Sequence, residues 1–349
     1  MSDIGRLVAL VTAFLTAALL GGCAAPVAAP TTFRNPIKDI GNDPYIVQQG
    51  GFYYLVESWD GGIWITKSVK DNLTDLAWSG DRVKVWSYPT TGTHCADVWA
   101  PELHPIGDRW YIYYAATTCD KNNVNHRMFA LESTGTDPLG GYLDRGLVTD
   151  ATNTWAIDGT RFEYRGRSYF VWSGWPGETD GQQNLYIAEM SSPVTIVGSR
   201  TLIAEPTHAW EKHGQPTDEG PEVLARDSSV HIVFSASGSW TDAYCYGLLT
   251  LTGTDPLDPS AWTKPPSPVF ASTTDVFGPG HGSFVKSPDG TEDWMIYHSA
   301  RSSGSGWDRM MNAQRYTWRD GVPVFGEPIP PSVPQKVPSG QLEPIRGHE

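Results

Sequence analysis

The chain has 349 residues, 36 of them Gly and 27 Pro, with 15 Trp, 15 Tyr and only 18% charged side chains. With no long heptad or amphipathic helical run, this composition points to a β-rich globular domain long enough to bury a sizeable core. The formal net charge of −14 excludes nucleic acid as a partner, because binding a phosphate polyanion needs clusters of Lys and Arg that are absent here.

The N-terminus holds an apolar run, Leu7 to Leu20, behind Arg6. It is too short to span a membrane and reads as an export signal over residues 1–22. Leu20-Gly21-Gly22-Cys23 resembles the lipobox of bacterial lipoproteins, in which the Cys is lipidated and becomes the new N-terminus. Residues 23–32 would then be a tether, and the lipid the only route to a membrane. Secretory cleavage in the Ala-rich stretch 24–29 is the alternative, and both readings place the mature protein outside the cytoplasm.

From Phe33 onwards the chain repeats itself. Five segments each read as a strand, a turn and a second strand of aromatic and β-branched residues. Asp43-Pro-Tyr-Ile-Val leads to Phe52-Tyr-Tyr-Leu-Val, Ala100-Pro-Glu-Leu-His to Trp110-Tyr-Ile-Tyr-Tyr, and Asp158-Gly-Thr-Arg-Phe to Tyr169-Phe-Val-Trp. Gly220-Pro-Glu-Val-Leu leads to His231-Ile-Val-Phe, and His281-Gly-Ser-Phe-Val to Trp294-Met-Ile-Tyr. The aligned starts lie 57, 58, 62 and 61 residues apart. A period near sixty is therefore the dominant feature of the sequence.

A third strand is expected in every unit, at 63–65, 128–130, 185–187, 246–248 and 311–313. A weaker fourth fits 82–86, 201–204 and 268–270. The hexapeptide Thr-Gly-Thr-Asp-Pro-Leu occurs at 134–139 and again at 252–257, two periods apart. Five units of four antiparallel strands describe an all-β, five-bladed β-propeller over residues 33–330, a fold that removes open sheet edges by radial closure. The Pro-rich end, 329–349, is expected to be a wrapping strand end followed by a loose tail, with 331–349 as the tail segment, and no appended lectin-like β-sandwich is expected.

Cys95 and Cys119 fall in one unit and could pair in an oxidising compartment. Cys245 reads as a buried strand residue. No Cys-x-x-Cys or Cys/His spacing suggests a zinc site.

Innermost strands of propeller blades start around one mouth of the central channel. Asp43, Asp158, Glu219 and His281 therefore converge although they are far apart in the chain. Carboxyl groups gathered in one pocket repel, so one tends to keep its proton while another ionises. Glycosidic cleavage needs that split, with an acid for the leaving oxygen and a base for water on the opposite face of the sugar. A metal site, or acidic residues capping strand ends, remains open on spacing alone.

The motifs Asn42-Asp43-Pro44-Tyr45, Trp99-Ala100-Pro101-Glu102, Ile157-Asp158-Gly159-Thr160, Glu219-Gly220-Pro221-Glu222 and Gly278-Pro279-Gly280-His281-Gly282 together resemble glycoside hydrolase family 43. The resemblance runs from about Phe33 to Pro330, with one motif per blade in order. It implies an inverting enzyme in which Asp43 is the general base, Glu219 the general acid, and Asp158 the residue that orients the acid and tunes its pKa. Glu222 is the rival acid, but strand alternation and the motif favour Glu219, leaving Glu222 a structural hydrogen bond. His281 resembles the family histidine near the axis, which in several members helps hold a central ion, often calcium. A hydrogen-bonded core histidine is the alternative, and the chemistry itself requires no cofactor.

Trp99 and Trp59 are candidates for a sugar platform, with Asp242 and Arg309 as candidate hydroxyl contacts. The stretches 43–47, 126–133 and 278–284 most resemble secreted α-L-arabinofuranosidases. The expected partner is thus an arabinose-containing plant polysaccharide or oligosaccharide, cut from its end at α-1,5 links by a monomer. A β-xylosidase, an endo-arabinanase and a carbohydrate-binding propeller without turnover are the alternatives. Inserts at 89–97 and 174–181 would wall the site into a pocket and so favour exo action.

Overall fold

The computed structural model describes residues 32–76 and 80–342. The proposed export signal and lipobox fall outside the described residues.

Strand β1 (Thr32–Phe33) precedes five antiparallel four-stranded sheets whose strands follow chain order. Blade 1 holds β2 (Tyr45–Gln49), β3 (Phe52–Trp59), β4 (Gly62–Lys67) and β5 (Asp81–Ser87). Blade 2 holds β6 (Ala96–Ile106), β7 (Arg109–Thr117), β8 (Arg127–Ser133) and β9 (Tyr142–Leu147). Blade 3 holds β10 (Ala156–Tyr164), β11 (Arg167–Gly174), β12 (Asn184–Ser192) and β13 (Thr195–Ala204). Blade 4 holds β14 (Asp218–Arg226), β15 (Ser229–Ala236), β16 (Cys245–Leu251) and β17 (Trp262–Thr263). Blade 5 holds β18 (Phe277–Lys286), β19 (Asp293–Ala300), β20 (Arg309–Arg319) and β21 (Val322–Val324), followed by β22 (Gln335–Lys336). The five first strands touch one another in a closed ring, β2 to β6 to β10 to β14 to β18 and back to β2.

The cores lie between blades, which explains the near-continuous apolar runs of the second strands. Side chains along a strand point alternately to its two faces, and both faces of β3 are covered. Tyr53 and Leu55 pack with Trp294 and Ile296 of blade 5. Tyr54 and Val56 pack with Ile112 and Phe129 of blade 2. Each fully buried side chain of this size contributes about 1.5–3 kcal/mol of transfer free energy, so adjacent blades are held by both faces of every second strand.

The ring is closed by the ends of the described chain. The Ile37 N–H donates to Met311 O at 2.9 Å and the Met311 N–H donates to Lys38 O at 2.9 Å, while β1 pairs with β22. Gln335 is buried and its side chain donates to Ala313 O at 3.1 Å. Gln341 Oε1 accepts from the N–H groups of Leu73 and Thr74. Residues 331–342 are thus docked across the first and fifth blades rather than loose, because two Gln side chains satisfy backbone groups there.

The fourth strands depart furthest from expectation. In blade 4 the strand is Trp262–Thr263, paired with Leu251 and Thr250. The expected 268–270 makes only an isolated bridge from Phe270 to Tyr246. Pro265, Pro266 and Pro268 lack N–H donors and so interrupt the ladder. Strands β9 and β21 lie in units where no fourth strand was apparent. Cys95 and Cys119 form a disulfide with their Cα atoms 5.1 Å apart, tying the segment before β6 to the loop after β7, and Cys245 is a buried free thiol.

Candidate active site

Each first strand has, near its start, a residue whose backbone is left-handed. The five aligned positions Asp43, Ala100, Asp158, Gly220 and His281 have φ of 45°, 41°, 54°, 54° and 33°. In blades 2 to 5 the ladder register shifts at the same place. Such a bulge bends the strand and re-aims a side chain. Its strain is tolerated most easily by Gly and Asp, and three of the five positions carry one of them. Here the result is that Asp43, Asp158, Glu219 and His281 are directed at one another.

Gly220 shows how tight this arrangement is. A Cβ on it would stand 2.9 Å from the His281 ring, while its N–H donates to Asp158 Oδ2 at 3.2 Å. The absence of a side chain lets the acid's strand close against the histidine.

The carboxyl groups have different surroundings. Asp43 Oδ1 lies 3.3 Å from His281 Nδ1, 3.3 Å from His298 Nδ1 and 3.5 Å from Arg309 Nη1. Burial alone would raise its pKa, but these neighbours outweigh burial and hold it below the usual carboxylate range. Burial depresses both histidines, His298 to about 3; against burial, His281 does most to hold Asp43 low, followed by His298 and then Arg309.

Glu219 is buried, and Oε1 accepts a hydrogen bond from Tyr244 Oη at 2.8 Å. Burial, with the Asp43 charge, pushes it up to about 7 despite that bond and Arg309. Asp158 is raised well above the ordinary value by burial and by the charges of Glu219 and Asp43. Asp158 and Glu219 therefore titrate as a pair that keeps at least one proton at neutral pH. Asp43, held low, and Glu219, raised to about 7, face the same space.

Deeper in the channel, Glu102 and Glu222 share a hydrogen bond. Burial raises Glu102 to about 8 and Glu222 well above its usual value. His104 Nε2 lies 2.8 Å from Glu102 Oε2. Glu222 is thus part of an internal pair, as strand alternation implied, and is not the acid at the mouth.

The cavity above these groups has a volume of about 690 Å³ and is lined by Asp43, Asp158, Glu219, His281 and Arg309 together with rim residues. Trp99, 38% exposed, stacks on His126 at 3.9 Å. Trp155 stacks on Trp175 at 4.6 Å and donates to Asn123 O. Asp180 in the loop after β11 bridges the walls, accepting from the side chains of Asn123 and Gln215. The two inserts do border the cavity, one through Asp180 and the other through Asp97.

The chain matches the profile of Glycosyl hydrolases family 43 over residues 33–323. It belongs to that family. It is 34% identical over 331 residues to an extracellular exo-α-(1→5)-L-arabinofuranosidase of Streptomyces avermitilis, a match covering 91% of this chain and 68% of the relative. It is 34% identical over 317 residues to α-L-arabinofuranosidase B of Pyricularia oryzae, covering 86% and 64%. The chain thus spans about two thirds of the length of these relatives. The crystal structure of an α-L-arabinofuranosidase from Lactobacillus brevis superposes with a TM-score of 0.79 at 32% identity, covering 86% of this chain and 98% of that one.

Two residues proposed for this family 43 glycoside hydrolase take other roles. Trp59 is 49% exposed but does not line the cavity. The Asp60-Gly61 turn behind it has φ of 43° and 65°, which returns the chain tightly into β4, and Trp59 lies beside Arg82 instead. Asp242 accepts from Ser303 Oγ at 2.6 Å and from the Gly304 N–H at 2.9 Å. It is a loop anchor and does not line the cavity. Arg309, Trp99 and His281 do line the cavity.

Among the described residues no group of three His, Cys, Asp or Glu side chains is arranged to hold a metal. An axial ion would have to rest on His281 and water, and the chemistry below uses none. Tyr244, His298, Trp155, Trp240 and Trp307 were not singled out from sequence. A signal existed, since Trp240, Tyr244 and Trp307 lie between second and third strands, connections that open onto the same mouth as the starts of the first strands.

Proposed function

We propose that the enzyme is an inverting, exo-acting α-L-arabinofuranosidase that works outside the cytoplasm and releases terminal arabinofuranose from α-1,5-linked arabinan or arabino-oligosaccharides. The observation that carries the reading is the contrast, within one cavity, between Asp43 ringed by His281, His298 and Arg309 and the buried Glu219 bonded by Tyr244. Glu219 gives its proton to the glycosidic oxygen while Asp43 takes one from water attacking the far face of the sugar. Asp158 stays hydrogen-bonded to the Gly220 N–H and holds the acid's strand in place. The names of the relatives support arabinofuranose as the sugar and an extracellular location, and the Cys95–Cys119 disulfide agrees with an oxidising compartment.

Asp43→Ala and Glu219→Ala are each expected to slow arabinose release from arabinan by about 100- to 10,000-fold, the usual contribution of a positioned acid or base. Glu219→Ala should suffer less on para-nitrophenyl α-L-arabinofuranoside, whose leaving group needs little protonation. Full activity in either variant would sink the assignment, and equal losses of Glu219→Ala on both substrates would remove Glu219 as the acid.

A further inference from the structure

The wall formed by blades 4 and 5 carries two tryptophans with no packing role in the cores. Trp240 is 41% exposed and Trp307 64% exposed, and their rings meet nearly edge to face, 5.9 Å apart at 73°. Two exposed indoles side by side on the lining of a cavity form an apolar patch of the kind that marks a binding site, and both rings are held in place. Trp240 lies directly on backbone, since a Cβ on Gly238 would stand 2.9 Å from its ring. Trp307 Nε1 donates to Ser239 Oγ at 3.1 Å. The loop that carries Trp307 is tied to the Trp240 loop by Asp242, through Ser303 and Gly304. Arg309 Nη2 donates to Ser239 O at 2.6 Å, joining the corner to the partner of Asp43.

The position of the corner decides which part of the substrate it meets. Strand β14 pairs with β15 at Glu219 and Ser235, and β15 runs straight into the loop that holds Trp240. Tyr244, at the end of that loop, bonds Glu219. Trp240 therefore stands on the acid's side of the cavity, and Trp307 leans on it from blade 5 through Ser239. In an inverting reaction the acid serves the leaving group and the base the opposite face. Trp99 and Trp155 line the wall built by blades 2 and 3.

We propose that the Trp240–Trp307 corner binds the leaving chain, stacking the furanose units that follow the scissile bond on its two indole faces. The proposal rests on the arabinan reading above and adds to it where the rest of the polymer lies. It makes the enzyme favour chains over the disaccharide.

The test is steady-state kinetics on α-1,5-arabino-oligosaccharides from the disaccharide upwards, with wild type, Trp307→Ala and Trp307→Phe. Trp307→Ala should raise KM on the longer chains about tenfold, equivalent to ~1.4 kcal/mol, with a much smaller loss of kcat and a flattened dependence on length. Trp307→Phe should recover most of the affinity. The inhibition constant of free arabinose, which samples the opposite end of the site, should not follow KM. An unchanged length dependence, a Phe variant no better than Ala, or an arabinose constant rising in step with KM would overturn the platform. A wild-type enzyme that cuts only xylosyl substrates would overturn the arabinan assignment instead, and the same length series on xylo-oligosaccharides then decides the platform by the same criteria.

Discussion

Tyr244→Phe isolates the tuning of the acid. Tyr244 is fully buried, its hydroxyl lies 2.8 Å from Glu219 Oε1, and its ring stacks on His298 at 5.5 Å and 11°. Phenylalanine keeps the stacking and removes the donor to Glu219, together with the bond the hydroxyl accepts from Ser235. A hydrogen bond to a charged group contributes about 1.5–3 kcal/mol and one between neutral groups about 1 kcal/mol. The bond thus favours the carboxylate by roughly 1–2 kcal/mol, or about one pKa unit. Removing it should raise Glu219 from about 7 by about one unit.

Glu219 must be protonated to act, so the alkaline limb of kcat/KM should move up by about one pH unit. The bond also reserves Oε1, which leaves the acid's proton on Oε2. Without it the proton is shared between two oxygens and the orientation loosens, so kcat at the optimum should fall, and fall further on an arabino-oligosaccharide than on an activated aryl arabinoside. The assay is a pH profile of arabinose release with both substrates. An alkaline limb that stays put or moves down would refute this account of Glu219, as would equal losses of kcat on the two substrates.

Gly220→Ala should cost about 1–2 kcal/mol in stability from the left-handed backbone alone. It should also lower kcat more than it raises KM, because the new Cβ displaces His281 from Asp43; a variant with wild-type kcat would show that the contact at 2.9 Å is not coupled to the base. Glu102 and Glu222 keep protons in the folded state that they lose near pH 4.5 when unfolded, so the wild-type Tm should fall as pH rises from about 4.5 to about 8. Glu222→Gln keeps a neutral hydrogen-bonding partner in that pair and should show a shallower fall, and an identical fall would place the pH dependence elsewhere.

The blades and the three carboxyl groups were legible because they lie on the repeat. A second strand covered on both faces has to be apolar along its length, and a bulge at the start of the first strand asks for residues that tolerate a left-handed backbone, hence Asp43, Asp158 and Gly220. What repeats is constrained by closure of the ring. The fourth strands were less visible because they are outermost: β9 exposes Leu143 and Leu147 and buries too little to impose a pattern. In blade 4 three prolines moved the pairing away from the expected segment. Trp59 was misplaced because a tryptophan at the end of a second strand reaches the mouth only if the next connection is long enough to carry the chain over it.

That connection is a two-residue turn in blade 1, Asp60-Gly61, but spans 118–126 in blade 2, 175–183 in blade 3, 237–244 in blade 4 and 301–308 in blade 5. Connector length therefore sorts the blades into four that build walls and one that leaves the rim low. All four long connectors supply cavity-lining residues that first-strand motifs do not reveal: Asn123, Asp180, Trp240 and Trp307. The blade 2 connector also carries Cys119, which fixes the neighbouring insert through its disulfide. The chemistry is thus written in the periodic part of the chain, whereas the shape offered to the substrate is written in its departures from the period. This is why Asp43, Asp158 and Glu219 follow from aligning the repeats, while the tryptophan corner needs the folded geometry.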